Sequence, residues 1–296
     1  MAARWLRALP LLTLGLGIST IQPARALVPY VYVPQRQQLE SAGLGIAQAG
    51  ARLLQLGQAE EAALLAALTV QLLPADPRGW MLLAEAQLRS NQLAEASASL
   101  ARAKELDPAN AGIWFAEGSL ALRENQPGAA IDLLQEGLKR DPDNASAYFD
   151  LGNAQILLGH PRDALKAFEN AARLRKDFWE AINNQALVLF EMDQVDRAIQ
   201  RWRQVLLIEP EAAEPNLALA AALFQQGASR RQEAIERAIK ALDAEPNYVL
   251  SSYQKEQLWG AKLRQTTELL LLQNELKADV DRAQANASPE DSPNKP

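Results

Sequence analysis

The chain has 296 residues, 30 basic and 36 acidic side chains, a formal charge of −6 and no cysteine. Without cysteine there are no disulfides, thiolate metal sites or cysteine nucleophiles, and the acid excess argues against nucleic-acid binding, which needs a basic face. Hydrophobic residues make up 48% of the chain and are mostly Ala and Leu, the strongest helix formers, so an all-α protein is expected.

The first 26 residues read as a targeting signal. Arg4 and Arg7 supply a positive start, "ALPLLTLGLGISTI" an apolar middle, and Ala24-Arg25-Ala26 a small-residue cleavage site. The alternative is an uncleaved anchor, but the apolar run is about 14 residues against the ~20 that span a bilayer. Pro10, Gly15 and Gly17 also weaken it as a helix. Cleavage after Ala26 is therefore expected, with no integral membrane span afterwards. It would leave 27 basic and 36 acidic residues, a net −9. The arginines are not adjacent, which argues against a twin-arginine route. Residues 27–42, "LVPYVYVPQRQQLESA", are expected to be extended because of Pro29 and Pro34. Their Val/Tyr alternation is the strand-like signal of the chain.

From residue 43 the sequence repeats itself. Pro74, Pro108 and Pro142 are 34 apart, and Pro210 and Pro246 continue the series with small slips. Gly50, Ala84, Gly118, Gly152, Ala186 and Ala220 keep the same step, and Ala62, Ala96, Ala130, Ala164, Ala198 and Ala234 follow them. Large residues, Ile46, Trp80, Trp114, Tyr148 and Ile182, stand four before the first small series. Small side chains facing each other let two antiparallel helices approach. Gly57, Asn91, Asn125, Gly159, Asp193 and Gly227 recur where a left-handed turn residue is needed between them. Proline then ends the second helix, because it lacks an N–H and clashes with the preceding turn.

With "WMLLAEAQL…AEASASLARAKELDP", "WFAEGSLAL…GAAIDLLQEGLKRDP" and "YFDLGNAQI…RDALKAFENAARLRKD", the chain resembles the tetratricopeptide repeat family. The resemblance implies a right-handed superhelical solenoid of six helix pairs: 43–76, 77–110, 111–144, 145–178, 179–212 and 213–248. Neighbouring pairs must stack to bury their apolar faces, and the ends need caps. At "LRKDFWEAINNQ", Lys176 takes the place of the proline. Asp177 with Glu180 reads there as an acid-led capping box, with Phe178 and Trp179 packed over the joint. His160, in a polar turn, reads as a solvated loop histidine. Residues 249–284 are expected to form one long amphipathic capping helix, with Leu258, Trp259, Leu263, Leu269, Leu270 and Leu276 facing inward. Residues 285–296 read as a disordered tail.

In the family the first helix of each pair lines the concave face. This places Met81, Phe115, Phe149, Asn153, Asn183, Asn184, Leu187, Phe190, Leu217 and Phe224 in one groove. The asparagines can grip a peptide backbone and the phenylalanines can form apolar pockets, although aromatics at helical spacing also serve as ordinary core. Arg78, Arg89 and Arg123 lie toward the N-terminal half, and Asp150, Glu180, Glu191 and Glu214 toward the other. One class of the family holds acidic chaperone tails with a carboxylate clamp. Asn153 and Asn184 match its asparagines, but its basic places fall on Phe149, Glu214 and Ala218, so that function is excluded.

No constellation of acid, base and nucleophile converges, so neither catalysis nor a cofactor is expected. The expectation is an exported scaffold binding protein or peptide partners, with peripheral association with a membrane complex open to it. The whole chain, including "ALVPYVYVP" and "NYVLSSYQKEQLWG", also looks like an exported cyanobacterial group. That resemblance implies a photosystem assembly factor in the thylakoid lumen. The alternatives are a periplasmic envelope or secretion scaffold and, from a different class, an enzyme accessory subunit.

Overall fold

The computed structural model describes residues 35–288, and from Arg36 these belong to one unit. The signal segment and residues 27–34 lie outside the described residues, as does the tail from residue 289. The 34-residue period is a period of helix pairs. α1 (Arg36–Gln55) pairs with α2 (Ala59–Leu72), α3 (Pro77–Arg89) with α4 (Leu93–Leu106), and α5 (Ala111–Arg123) with α6 (Pro127–Arg140). α7 (Ala145–Leu157) follows with α8 (Pro161–Leu174), α9 (Trp179–Glu191) with α10 (Val195–Ile208), and α11 (Ala213–Gln225) with α12 (Arg231–Ala244). Among the described residues there is no strand, and no helix is long and apolar enough to cross a membrane.

Each repeated residue class has its mechanical place. Ala62, Ala84, Ala96, Ala130, Ala164, Ala186, Ala198, Ala220 and Ala234 all have 0% exposure, where the two helices of a pair come closest. All six expected turn residues have positive φ, from 56° at Asn125 to 99° at Gly227. Around Asn91, its N–H reaches Leu88 O at 3.2 Å and that of Gln92 reaches Gln87 O at 2.8 Å, the six-to-one bond of a Schellman turn. Pro74, Pro108, Pro142, Pro210 and Pro246 each stand two residues beyond a helix end. The large-residue series adds a tie. Trp80 Nε1 donates to Pro74 O at 3.0 Å, Trp114 Nε1 to Pro108 O at 3.2 Å, and Asn216 Nδ2, in the same phase, to Pro210 O at 3.1 Å.

First helices of successive pairs touch, α1 with α3, α3 with α5, α5 with α7 and α9 with α11. They approach more closely than the second helices do, which puts them on the inner side of the curve. Between α7 and α9 this approach is weaker, and this step holds the proline-free joint. The expected capping box is absent there: Phe178 precedes α9 and no side chain caps the helix. Packing holds the joint instead. Phe178 is buried, its ring lies 5.0 Å from that of Phe149, and the Arg175 guanidinium stacks 3.4 Å over it.

Both ends depart from expectation. Residues 36–42 are not extended but open α1, because beyond Pro34 nothing restricts φ and ψ, and Arg36 pairs with Glu40 one turn on. The single C-terminal helix is instead three: α13 (Ser251–Glu256), α14 (Ala261–Leu271) and α15 (Lys277–Asn286), the last including residues 285 and 286. The first break is a further Schellman turn, with Leu258 at φ 64° and Trp259 N–H bonded to Gln254 O at 3.0 Å. Trp259, Leu263, Leu270 and Leu276 are buried as expected, but Leu269 is 54% exposed. Within α14 the buried face is Leu263, Thr267 and Leu270, and Leu269 stands off it toward solvent.

Candidate peptide groove on the inner face

The inner face is divided by the chain's own C-terminus. α14 packs against α9 and α11, the inner helices of the last two pairs. Consequently Phe190 and Leu217, expected in the groove, have no exposure and belong to the core with Trp202, Trp259 and Leu263. Asn183 is 1% exposed and accepts a hydrogen bond from Trp202 Nε1 at 3.1 Å, so it too is core. Leu187 is 5% exposed. Phe224 is partly buried against the same core, with Arg231 5.9 Å above its ring. Phe190, Leu217 and Phe224 share one cause, because a helix-by-helix projection does not know which later segment folds over the face; Asn183 instead faces Trp202 of its own pair, and Leu187 keeps only a margin on an apolar cleft.

What stays accessible lies earlier. Met81 and Phe115 are half-buried: Met81 joins a cluster with Leu120 of the next repeat, and Phe115 lies against Gly137 of its own pair. Phe149 is half-buried, 5.8 Å from the Phe168 ring. Asn184 Nδ2 donates to Asn153 Oδ1 at 3.1 Å, bridging α9 to α7 across the widened step. Two clefts flank this bridge. One, about 290 Å³, is mainly apolar and lined by Ile156, Phe168, Leu187, Val188 and Leu258, with Glu191 at its edge. The other, about 620 Å³, opens between Phe149, Asn153, Trp179 and Asn184 on one side and Tyr248, Tyr253 and Leu258 on the other.

The larger cleft has a one-sided charge. Glu180, Glu209, Glu211, Glu214, Glu245 and Glu256 line it, and its lining contains no lysine or arginine. Lys240 pairs with Glu211 at 2.8 Å; the remaining acids leave a strong negative field. Glu214 sits at the inner end, where Trp259 Nε1 donates to its Oε1 at 2.8 Å. Burial pushes its carboxyl up to about 7, only partly offset by hydrogen bonds from Trp259, Asn183 and Tyr248. Burial and the adjacent Glu214 charge raise the Tyr248 phenol as well. Sequence reading placed Glu214 correctly on the inner face, but its partner Trp259 lies 45 residues on, beyond any local pattern. On the N-terminal side two of the three arginines are paired with near neighbours. Arg78 pairs with Asp76 at 2.7 Å and holds that carboxyl below its usual range, and Arg89 pairs with Glu85 at 2.7 Å. Asp150, bonded to Ser119 Oγ at 2.6 Å, joins α7 to α5 and is raised by burial.

Models of the tetratricopeptide repeat match residues 48–111 and 121–184. No curated protein matches the chain. Among solved structures, PilF of Pseudomonas aeruginosa superposes with a TM-score of 0.58 at 18% identity, over 78% of this chain and 99% of that one. The Cut9–Hcn1 assembly of the APC/C gives 0.65 at 16% identity, over 80% and 46%. YrrB, described as a TPR protein with an unusual peptide-binding site, gives 0.50 at 21% identity, over 64% and 97%. At these identities the likeness is one of fold. Over these two stretches the chain matches tetratricopeptide repeats, and its helix pairs stack as an α-solenoid of the TPR type.

Proposed function

We propose that the protein is an exported binding scaffold whose inner face takes an extended peptide segment carrying Lys or Arg side chains. The observation that carries this reading is the cleft at the α7–α9 step. Aromatic faces, two asparagine amides and six glutamates line one cavity of about 620 Å³ without a lining cation. Aromatic rings and carboxylates together suit a guanidinium or ammonium group. Asn153 and Asn184 supply donors and acceptors for a peptide backbone, and the adjoining apolar cleft has room for a neighbouring hydrophobic side chain. YrrB shows that this fold can carry a peptide-binding site.

The test is fluorescence polarisation with labelled ten-residue peptides, one set rich in Lys and Arg and the other in Asp and Glu. The basic set should bind, and Phe149→Ala with Asn184→Ala should weaken it at least tenfold. Preference for the acidic set, or indifference to both substitutions, would reject the reading. The placement we propose is an exported compartment, with the thylakoid lumen and assembly of photosynthetic membrane complexes as its specific form. That form rests on the signal-like first 26 residues and on the resemblance of the whole chain to an exported cyanobacterial group. Purification of the tagged protein from membranes would recover photosystem subunits on this reading, and envelope or secretion components on the periplasmic alternative.

A further inference from the structure

The two clefts of the inner face share a wall. Asn184 and Leu258 line both the cavity of about 290 Å³ and that of about 620 Å³, so one helix residue and one turn residue stand between them. Leu258 is placed there by its turn. The bond from Trp259 N–H to Gln254 O closes α13, and Leu258 takes φ 64° just before the buried Trp259. Asn184 is placed by α9, as the half-buried position between the buried Asn183 and Gln185.

Beside this wall lie a hydrogen-bond donor and an acceptor. Asn184 Nδ2 donates to Asn153 Oδ1 at 3.1 Å, which leaves the Asn153 amide to donate and Asn184 Oδ1 to accept. Asn183 Nδ2 approaches that oxygen at 3.5 Å, a long contact. An extended peptide presents a free C=O and N–H at each residue, whereas a helical one has paired both internally. The two cavities differ in chemistry. Phe168, Leu187 and Val188 line the smaller, and its one carboxylate, Glu191, already accepts from the backbone N–H groups of Lys262 and Leu263 at 3.2 and 2.8 Å. Six glutamates and no cation line the larger.

We propose that the inner face recognises a short motif: an apolar side chain two residues from a Lys or Arg, with the backbone between them held at the Asn153–Asn184 bridge. This rests on the binding of basic peptides proposed above and adds a second anchor and a spacing. Alternate side chains of an extended chain stand on the same side, about 6.5–7 Å apart, a separation that straddles a narrow wall. Adjacent side chains point to opposite sides, and a spacing of four sets the pair about 13 Å apart. The apolar residue enters the smaller cleft and gains affinity by leaving water, while the basic residue meets the glutamates on the other side.

Competition against a labelled Lys/Arg-rich peptide tests this on the full chain. The competitors are ten-residue Gly/Ser peptides with one Arg and one Leu placed one, two, three or four residues apart, on either side, and a control with Ala in place of Leu. All carry the same charge, so attraction to the glutamates cancels in the comparison. The two-residue spacing should compete about tenfold better than the Ala control, and the other spacings should stay near the control. Leu258→Gly removes the side chain from the wall at a φ that glycine adopts freely, so the turn is kept. In L258G the preference for the two-residue spacing should fall below about twofold, with the labelled peptide still bound. A two-residue competitor no better than the Ala control, a best spacing of one, three or four, or an undiminished preference in L258G overturns the motif and leaves basic-peptide binding standing. Failure of the labelled peptide itself to bind the wild type rejects both.

Discussion

A methyl group on Gly152 would lie 2.4 Å from the Phe168 ring, so the inner helix of the fourth pair has room there for hydrogen only. Gly152→Ala should therefore cost about 1–3 kcal/mol, the usual range for overpacking a core, seen as a lower urea midpoint. Gly128→Ala, with nothing within 4 Å of the added carbon, should be neutral or mildly stabilising through helix propensity. Glu214 makes the second residue-scale prediction. Its folded-state value of about 7 lies above the ordinary 4.5, so its contribution is fully present below pH 4.5 and is lost as pH rises through 7. The loss amounts to roughly 3 kcal/mol at most. Glu214→Gln should leave the denaturation midpoint near that of the wild type at pH 5 and raise it at pH 8. At this scale much was legible beforehand. A left-handed φ favours Gly, Asn or Asp, and a close helix approach favours Gly or Ala, so the repeat positions announce themselves in sequence. The Glu214–Trp259 bond does not, because nothing local connects residues 45 apart.

At the scale of elements, the repeat pairs were legible because each is closed within 34 residues by its own turn, its own small-residue contact and its own stop. The C-terminal region follows none of these rules. Leu258 stands where a turn residue would, and the preceding helix is six residues long, so an amphipathic pattern reads straight through two breaks. The error then passes to the groove. α14 covers Phe190 and Leu217, and a projection made from the repeats alone leaves them open. This ordering predicts unequal consequences for truncation. A chain ending at Ala244 exposes the inner faces of α9 and α11, and should bind a hydrophobic dye and lose exchange protection in its last two pairs. Pairs two and three should keep theirs, because in a solenoid each pair depends mainly on its neighbours. Trp259→Ala within the full chain should act as a milder version, costing about 3–5 kcal/mol as a large-to-small core substitution. Equal loss of protection at both ends of the solenoid would show that the stack unfolds as one unit and that the cap is not a local element.

Across the whole molecule, charge and curvature act together. The chain carries −6 overall, but the distribution on the inner face gives that figure its meaning. Arg78 and Arg89 on the N-terminal side are neutralised by Asp76 and Glu85, whereas six glutamates gather in the cleft at the α7–α9 step. Inner helices touch least at this step, and the glutamates of the inner face gather beside it. A concave surface with one sign of charge concentrates field and attracts the opposite sign from solution. Much of that attraction acts through water and is screened within about 8 Å at physiological ionic strength. Binding of a basic peptide should accordingly weaken by about fivefold or more between 0.05 and 0.5 M salt, mainly through a slower association rate. If affinity proves indifferent to salt, the apolar cleft and the asparagines carry the recognition, and the glutamates do not.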